Sequence, residues 1–346
     1  MNEAAVLKNP FTYTPPIRGY LGYAYLLSIL YAQEKPYWPW LCNQYIALGA
    51  TRDCRRFEQI ATDWMGVYSG VMEYHFMELP AGQAADPAVG LQVVLTLLRR
   101  GYYVYGEFNE RYIPGTSSYR RRDFQHCYCL YGYDRERGLL FSAAYSDAQR
   151  YEELEIPFSD YLCALVKSNV EKVTIDFYRP NPDFVPVFDS EDCAFRIREY
   201  LESRPCVRTY GGPGYYAGDE WIFGANAQRH LLNCLERARE RAEYLDLRFF
   251  YFLWDHKTLM WMRIRTMMEQ GILPKEGFLS TYEQVVEQAE RLKEMALKYN
   301  VCLKYGRQNA GQIPERMGEY LRSLADREEI LLERVVQAMR LPQNIR

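Results

Sequence analysis

This chain lacks a strong net charge and lacks a long hydrophobic run. Its 346 residues include 42 Lys and Arg against 45 Asp and Glu, a balance of −3. Non-specific binding to a nucleic-acid backbone needs a broad basic field, which this balance excludes. The hydrophobic stretch over residues 19–33 is too short to span a bilayer and has no small-residue cleavage site after it. We therefore expect neither a membrane span nor a signal peptide.

Secretion signatures are also missing. The cysteines number nine, an odd count without paired spacings, and the sequence has no Asn-x-Ser/Thr glycosylation acceptor. A disulfide framework is a poor explanation of such cysteines, so we expect a reducing, cytoplasmic setting.

Motifs for nucleotide, serine-hydrolase and zinc-protease chemistry are absent. There is no Gly-x-Gly-x-x-Gly, no Walker loop, no Gly-x-Ser-x-Gly and no His-Glu-x-x-His, and the 4 histidines are scattered. We expect no metal site and no cofactor. Cys127 and Cys129 share one face of a predicted strand, and we interpret them as buried structural thiols.

Tyrosine is the residue present in excess, with 31 copies. Its ring suits strands and half-polar pockets, and its hydroxyl needs a partner when buried. Before residue 180, aromatic and β-branched runs predict strands. They cover Tyr102–Phe108, Phe124–Tyr133, Leu139–Tyr145 and Lys172–Tyr178, with the second and third forming a hairpin, and two helices are predicted at Arg55–Met65 and Ala88–Arg100.

After a proline-rich segment near residue 180, the hydrophobic period lengthens to that of helices. Four are predicted, at Glu220–Tyr244, Leu247–Gln270, Thr281–Asn300 and Glu315–Arg340, and the second should be the most buried. The expected fold class is α+β, with an antiparallel-sheet domain over residues 1–180 and a helical bundle over residues 181–346.

A histidine and a cysteine suggest a catalytic pair. His126 opens a predicted strand that continues into Tyr131-Gly132-Tyr133-Asp134, and Asp147 follows the returning strand. Cys42 follows Pro39 at a predicted helix start, where the helix dipole would lower the pKa of the thiol. A thiolate with a histidine base and an orienting carboxylate is a known nucleophilic arrangement.

At these residues the chain resembles the papain-fold, peptidase-like cysteine acyltransferases of natural-product biosynthesis. That family includes the butirosin-pathway acyltransferase and the closthioamide amide synthetase. The resemblance covers about residues 35–165 and rests on Pro39-Trp40, Tyr45-Ile46, residues 109–114 and His126 with Tyr131-Gly132-Tyr133-Asp134. A looser similarity extends to Asp255-His256-Lys257 and Arg263. The resemblance implies a papain-like N-terminal domain and an activity that moves an acyl group from a carrier-protein thioester, through a cysteine, to an amine.

By resemblance, Cys42 would be the nucleophile and His126 the general base. Asp147 would orient the imidazole, and backbone N–H groups near Cys42 would form an oxyanion hole. Partners would be an acyl or peptidyl carrier protein, whose phosphopantetheine belongs to the substrate, and a small amine. Candidate residues for binding substrate or partner are Asn43, Gln44, Tyr131, Tyr145, Arg120, Arg121, Arg122 and His256.

Two other functions remain open. One is a catalytically inactive papain-like accessory protein that binds a synthetase or carrier domain, and the other is a cysteine peptidase. Each candidate residue also has a structural alternative: Cys42 as a core residue, His126 as a hydrogen-bonded strand histidine and Asp147 as a turn residue. The polar island of Asp255, His256 and Arg263 would then be an interhelical salt bridge, and the arginine run a solvated loop.

Overall fold

The structure, a computed structural model, describes residues 5–60, 69–148, 150–165, 171–204, 220–274, 277–307 and 310–339. It divides into two compact units. Unit 1 comprises Met1–Pro36 and Met65–Val185, and unit 2 comprises Tyr37–Trp64 and Pro186–Arg346. The change from unit 1 to unit 2 between Val185 and Pro186 falls close to the expected boundary at residue 180. The segment Tyr37–Trp64, expected in the N-terminal domain, belongs instead to unit 2.

The strands within the described residues are these: β1 Val6–Lys8, β2 Ala47–Thr51, β3 Phe57–Ile60, β4 Met72–Pro80, β5 Tyr103–Asn109, β6 Gln125–Asp134, β7 Leu139–Tyr145, β8 Tyr151–Pro157, β9 Lys172–Pro180 and β10 Trp221–Phe223. Unit 1 holds a seven-stranded sheet in the order β4-β9-β5-β6-β7-β8, with β1 on β6. Each of its pairs is antiparallel. The predicted strands in this half, the β6–β7 hairpin and the antiparallel sheet are confirmed.

The helices of the same ranges are α1 Leu21–Leu30, α2 Trp38–Leu41, α3 Ala81–Ala84, α4 Gln92–Arg99, α5 Phe158–Leu165, α6 Ser190–Leu201, α7 Gly224–Arg241, α8 Leu247–Glu269, α9 Phe278–Lys304 and α10 Gln312–Ala338. A π-helical turn, Pro87–Leu91, leads into α4. The four predicted C-terminal helices correspond to α7 to α10 and are confirmed, with their ends displaced by a few residues. No helix in the described part of the chain is long and apolar enough to cross a membrane.

The predicted helix Arg55–Met65 is wrong where the structure describes it. Residues 57–60 form β3, which pairs antiparallel with β2, while residues 61–68 lie outside the described ranges. The turn between the two strands contains Cys54 in a left-handed conformation (φ 57°). Along the edge opposite β3, strand β2 pairs with β10, so this small sheet joins residues that are far apart in the chain. Long-range pairing has overridden the local helical pattern.

Buried tyrosines account for much of the unusual composition in unit 1. Tyr25 on α1, Tyr103 on β5 and Tyr178 on β9 are almost completely buried. The Tyr25 hydroxyl donates to the Cys127 carbonyl at 2.9 Å, and the Tyr103 hydroxyl donates to the Pro10 carbonyl at 2.5 Å. The rings of Tyr25 and Tyr103 fill the core while their hydroxyl groups remain hydrogen-bonded, whereas the buried hydroxyls of Tyr133 and Tyr161 have no hydrogen-bond partner among the described residues.

Glycine at position 132 has a steric reason. An added Cβ would lie 2.3 Å from the Leu7 carbonyl oxygen, because β1 runs directly against β6 there. The register of β6 and β7 also shifts between Leu130 and Gly132. The glycine of the motif that carried the resemblance is therefore required by strand pairing.

Candidate functional site

Cys42 lies at the C-terminal end of α2 rather than at a helix start. Its backbone N–H donates to the Trp38 carbonyl at 3.0 Å, which makes it the C-cap of this four-residue helix. Pro39 occupies the first turn, where proline is tolerated, and so places the helix start before the cysteine. The expectation that a helix N-terminus activates this thiol is wrong, since the partial charge at a helix C-terminus is negative.

The Cys42 side chain is enclosed. Its residue is 3% exposed, and Sγ lies 3.5 Å from the Thr266 hydroxyl. Burial raises the pKa of the Cys42 thiol, and the charge of Arg263 together with the Thr266 contact offsets part of that rise. At neutral pH this thiol is protonated, whereas nucleophilic attack requires the thiolate.

The backbone around Cys42 is also committed to internal bonds. The N–H groups of Asn43 and Gln44 donate to the Trp40 and Leu41 carbonyls at 3.0 and 2.9 Å. Neither is directed at an incoming oxyanion, for which a catalytic site reserves such donors.

Asn43 and Gln44 also have structural roles within unit 2. The Asn43 side chain donates to the Asp189 carbonyl at 2.6 Å and accepts from the Asp189 N–H at 3.0 Å. The buried guanidinium of Arg263 donates to the Cys42 carbonyl at 2.8 Å and to the Gln44 carbonyl. These contacts tie the segment after α2 to α6 and α8, so they fix the fold of the unit.

His126 lies in unit 1, near the start of β6 and in register with Phe108 of β5. Its Nδ1 is 2.8 Å from Oε1 of Glu110, and its side chain is 40% exposed. The Tyr128 hydroxyl donates to the same carboxylate oxygen at 3.1 Å. Burial alone would raise the pKa of Glu110, but hydrogen bonds from His126, Ser118 and Tyr128 bring it below its ordinary value. The result is a histidine held in position by an ionised carboxylate.

Asp147 does not hold this ring. It is exposed, and its backbone N–H donates to the Gly115 carbonyl at 2.8 Å. Glu110 holds the His126 ring instead, a role that the sequence analysis did not assign to it. A signal was available, because Glu110 directly follows β5, and the pairing of β5 with β6 brings that end of β5 to the start of β6. Of the predicted triad, His126 and Asp147 belong to unit 1 and Cys42 to unit 2.

The predicted arginines lie on one loop after β5, residues 113–124, which we call the arginine loop. Internal bonds hold it: the Thr116 hydroxyl donates to the Ile113 carbonyl at 3.0 Å, and the Arg120 N–H donates to the Arg111 carbonyl at 2.9 Å. At its end the Glu110 N–H donates to the Phe124 carbonyl at 2.8 Å. The backbone of the loop is therefore fixed before any partner arrives.

Arg120, Arg121 and Arg122 are exposed on this loop. The Arg122 Nε donates to the Ser118 hydroxyl at 3.3 Å, and its guanidinium lies 5.4 Å from the centroid of the exposed Phe124 ring. Among the described residues, no carboxylate lies within ion-pair distance of any of these three guanidinium groups. Neighbouring Arg111, in contrast, pairs with Asp123 at 3.7 Å.

The two predicted tyrosines have internal partners in unit 1. The Tyr131 ring stacks on Phe11 with centroids 4.6 Å apart, and its hydroxyl bonds to Tyr13 and Glu153. The Tyr145 hydroxyl donates to the Arg18 carbonyl at 2.9 Å. Both side chains contribute to the packing of the unit.

His256 belongs to a buried polar network of unit 2. Its Nε2 lies 2.9 Å from the Ile46 carbonyl, and its Nδ1 accepts from the Lys257 ammonium at 3.0 Å. Lys257 also pairs with Glu328 at 2.7 Å, and both side chains are fully buried. Burial, reinforced by the charge of Lys257, holds the pKa of His256 well below its ordinary value. The interhelical ion pair of this network joins Lys257 and Glu328, whereas the structural alternative placed one among Asp255, His256 and Arg263. Arg263 instead bonds to backbone carbonyls.

A groove of about 310 Å³ opens in unit 1 where β9 diverges from β5. Cys127, Lys172 and the carboxyl-bearing Glu107 and Asp176 are among its lining residues. Because the Lys172 ammonium pairs with Glu78 at 3.1 Å, the groove does not suit an anionic ligand. No cluster of three or more His, Cys, Asp or Glu suited to a metal ion occurs within the described ranges.

Comparison with known proteins adds no relative. No protein-family model matches the chain, and a search of curated proteins finds none that is detectably similar.

Proposed function

We propose that this protein is a binding protein that docks an acyl or peptidyl carrier protein through the arginine loop. The observation that carries the proposal is the set of exposed guanidinium groups at Arg120, Arg121 and Arg122, for which the described residues provide no carboxylate partner. Arginine binds phosphate and carboxylate groups with paired, charge-assisted hydrogen bonds. An acidic carrier surface and the phosphate of its phosphopantetheine arm supply both groups.

The rigidity of the arginine loop supports this proposal. Since hydrogen bonds already fix its backbone, a partner does not bear the cost of ordering it. The exposed Phe124 ring beside Arg122 adds an apolar contact at the same place. A rigid aromatic and several arginines together form the composition found at protein interfaces.

We further propose that unit 1 has the papain-like frame that the resemblance implies, without a catalytic role for Cys42. In support, the buried helix α1 packs on β6, and β6 carries a histidine held by a carboxylate. Acyl transfer to a small amine through Cys42 is less well supported, because that thiol is buried, protonated and at the wrong end of its helix.

Binding can be tested by titrating the labelled protein with a phosphopantetheine-bearing carrier protein and measuring fluorescence anisotropy. We expect the double variant Arg120→Gln/Arg121→Gln to bind about tenfold or more weakly, and the affinity of the native protein to fall as salt is raised. Arg122 is left intact because its contact with Ser118 supports the loop. The control Arg99→Gln/Arg100→Gln removes the same charge from another exposed site of unit 1 and should bind as the native protein does.

Two results would contradict the proposal. Equal loss of affinity in the control would mean that net charge alone matters. A thioester on Cys42 after incubation with an acyl-loaded carrier, detected by intact mass and absent from Cys42→Ala, would favour acyl transfer.

A carrier without phosphopantetheine separates the two anionic groups, since unchanged affinity assigns the docking to the protein surface and weaker affinity assigns part of it to the phosphate.

A further inference from the structure

Two cysteines and a histidine meet at one place in unit 2 that the proposed function does not use. Cys54 lies in the tight turn between β2 and β3, and Cys234 and His230 lie one helical turn apart on α7. The Cys54 Sγ is 3.5 Å from Nε2 of His230, and the Cys234 thiol donates to the His230 carbonyl at 3.7 Å. The two thiols therefore share one histidine as a neighbour, and each affects the pKa of the other.

The histidine is held in the orientation that stabilises a thiolate. The Asn233 side-chain amide lies 3.1 Å from Nδ1 of His230, and with its nitrogen facing the ring it donates to Nδ1. This tautomer leaves the proton on Nε2, which faces both the Cys54 sulfur and the Arg52 carbonyl at 3.2 Å. The imidazole N–H can then donate to a Cys54 thiolate without becoming charged.

Charges around the turn favour the same state. Arg237, one turn beyond Cys234 on α7, donates to the Asp53 carbonyl next to Cys54. The neighbouring Cys234 thiol, opposed by burial and aided by His230 and Arg237, lowers the pKa of Cys54 to about 6. The pKa of Cys234 is raised in turn, because it shares its proton with Cys54 and is buried. Of the two sulfurs, Cys54 is therefore the one whose surroundings favour the thiolate.

We propose that Cys54 and Cys234 form a redox-active dithiol, with Cys54 as the thiolate that a hydroperoxide oxidises and Cys234 as the resolving cysteine. The Cys54 thiolate attacks the distal peroxide oxygen, the O–O bond breaks, and the departing alkoxide takes a proton from water. This step gives a sulfenic acid on Cys54. The Cys234 sulfur then attacks the Cys54 sulfur, the S–O bond breaks, and water leaves with the Cys234 proton as the disulfide forms.

The geometry of the turn explains why this pair, rather than other cysteines, would react. Cys54 is 8% exposed at the tip of a surface turn whose other residues, at positions 52, 53, 55 and 56, are exposed. Cys193 of the same unit has its pKa raised to about 12 by burial, and it remains a thiol. Cys163 is exposed and forms no disulfide with another described cysteine. Formation of a disulfide requires the thiolate, access for the oxidant and a second sulfur together.

The test oxidises the native full-length protein with one equivalent of hydrogen peroxide at neutral pH, followed by alkylation and peptide mapping. We expect a Cys54–Cys234 disulfide, an intact mass lower by two hydrogens, and oxidation of Cys54 about tenfold faster than that of Cys163. In Cys234→Ser, the sulfenic acid should persist and be captured on Cys54 by dimedone. Cys302→Ser, which alters another buried cysteine of the unit, should behave as the native protein does.

Disulfide mapping on the native protein needs no variant and so decides the matter even where Cys234→Ser fails to fold. The proposal is overturned if Cys54 stays reduced while Cys163 is oxidised. It is also overturned if Cys54 and Cys234 are each modified without joining, since the second sulfur would then have no resolving role.

Discussion

Cys42 precedes strand β2 and Cys54 follows it, yet the pKa values of their thiols are shifted in opposite directions. Both belong to unit 2, are less than a tenth exposed, and have an arginine nearby. Burial raises the pKa of Cys42, whereas the pKa of Cys54 is lowered to about 6. The depth of burial and the presence of an arginine therefore do not decide which thiol is activated.

The difference lies in where the neighbouring donors are directed. Near Cys42, the buried Arg263 uses its N–H groups on the Cys42 and Gln44 carbonyls, and the thiol has the Thr266 hydroxyl as its partner. Near Cys54, the His230 ring nitrogen lies 3.5 Å from the sulfur itself, and the neighbouring Cys234 thiol also lowers the pKa of Cys54. A charge at a distance offsets desolvation weakly, while a hydrogen bond to the charged form stabilises it directly.

The largest expected effect is a difference in the free energy of unfolding between variants of the two arginines, Arg263 near Cys42 and Arg237 near Cys54. Arg263→Met should lower the free energy of unfolding of unit 2 by about 3 kcal/mol, because two buried carbonyls lose their donor, and Arg237→Met should lower it by less than about 1 kcal/mol. All 6 tryptophans lie in unit 2, so urea denaturation followed by tryptophan fluorescence reports on this unit alone. Equal losses in the two variants would mean that the buried Arg263 stabilises the unit no more than Arg237 does.

Next in size is the difference in thiol reactivity. With limiting iodoacetamide at pH 7, Cys54 should be alkylated about a hundredfold faster than Cys42, as measured by peptide mapping. Because the pKa of Cys54 is lowered, its thiolate persists above about pH 6 and is lost only below it, whereas an ordinary thiol is already protonated there. Cys234, His230 and Arg237 shift this pKa, and the charged residues Arg52, Asp53, Arg55 and Arg56 flank the sulfur on its own turn. Preferential labelling of Cys42 would instead restore it as a nucleophile.

A smaller change should follow from removing the imidazole. His230→Gln should slow the alkylation of Cys54 at pH 6 by about fivefold, which corresponds to a rise of about one unit in a thiol pKa that starts at about 6. Arg239→Gln, on the same helix and exposed, serves as the control and should leave the rate unchanged. An unchanged rate in His230→Gln would show that the ring does not stabilise the thiolate.

The smallest effect concerns Cys42 as a packing residue. Cys42→Ala should lower the free energy of unfolding by about 1 kcal/mol, since it removes one buried sulfur and leaves a small cavity. Carrier binding through the arginine loop should not change in the same anisotropy titration. Loss of binding with intact stability would show that Cys42 acts on the partner and would contradict its structural role.

The sheet of unit 1 and the helices of unit 2 could be predicted because their patterns are local. Leu139–Tyr145 has both ends as expected, and Leu247–Glu269 differs from its prediction by a single residue at one end. In these segments the apolar residues repeat with the period of the structure they form, so neighbours in sequence suffice. The buried polar residues of α8 could likewise be expected to need partners, and Lys257 and Glu328 pair as such residues do.

The candidate site was predicted in part. The position of His126 on a strand and the exposure of Arg120 to Arg122 follow from local composition. The carboxylate that holds the ring, Glu110, depends on which strand pairs with β6, and a sequence motif does not specify that pairing. The reactive turn at Cys54 depends on still more distant pairing, since β10 and α7 supply the contacts around it.

What the sequence by itself determined is therefore the type of each element with a regular pattern, and the excess of tyrosine that fills the core of unit 1. Tertiary structure alone decided which unit holds residues 37–64, which carboxylate meets His126, and which cysteine has its pKa lowered. The physical reason is that helix and strand periodicity depends on adjacent residues. The pKa of a thiol, in contrast, depends on the few donors within hydrogen-bond distance of its sulfur, and folding brings those from distant parts of the chain.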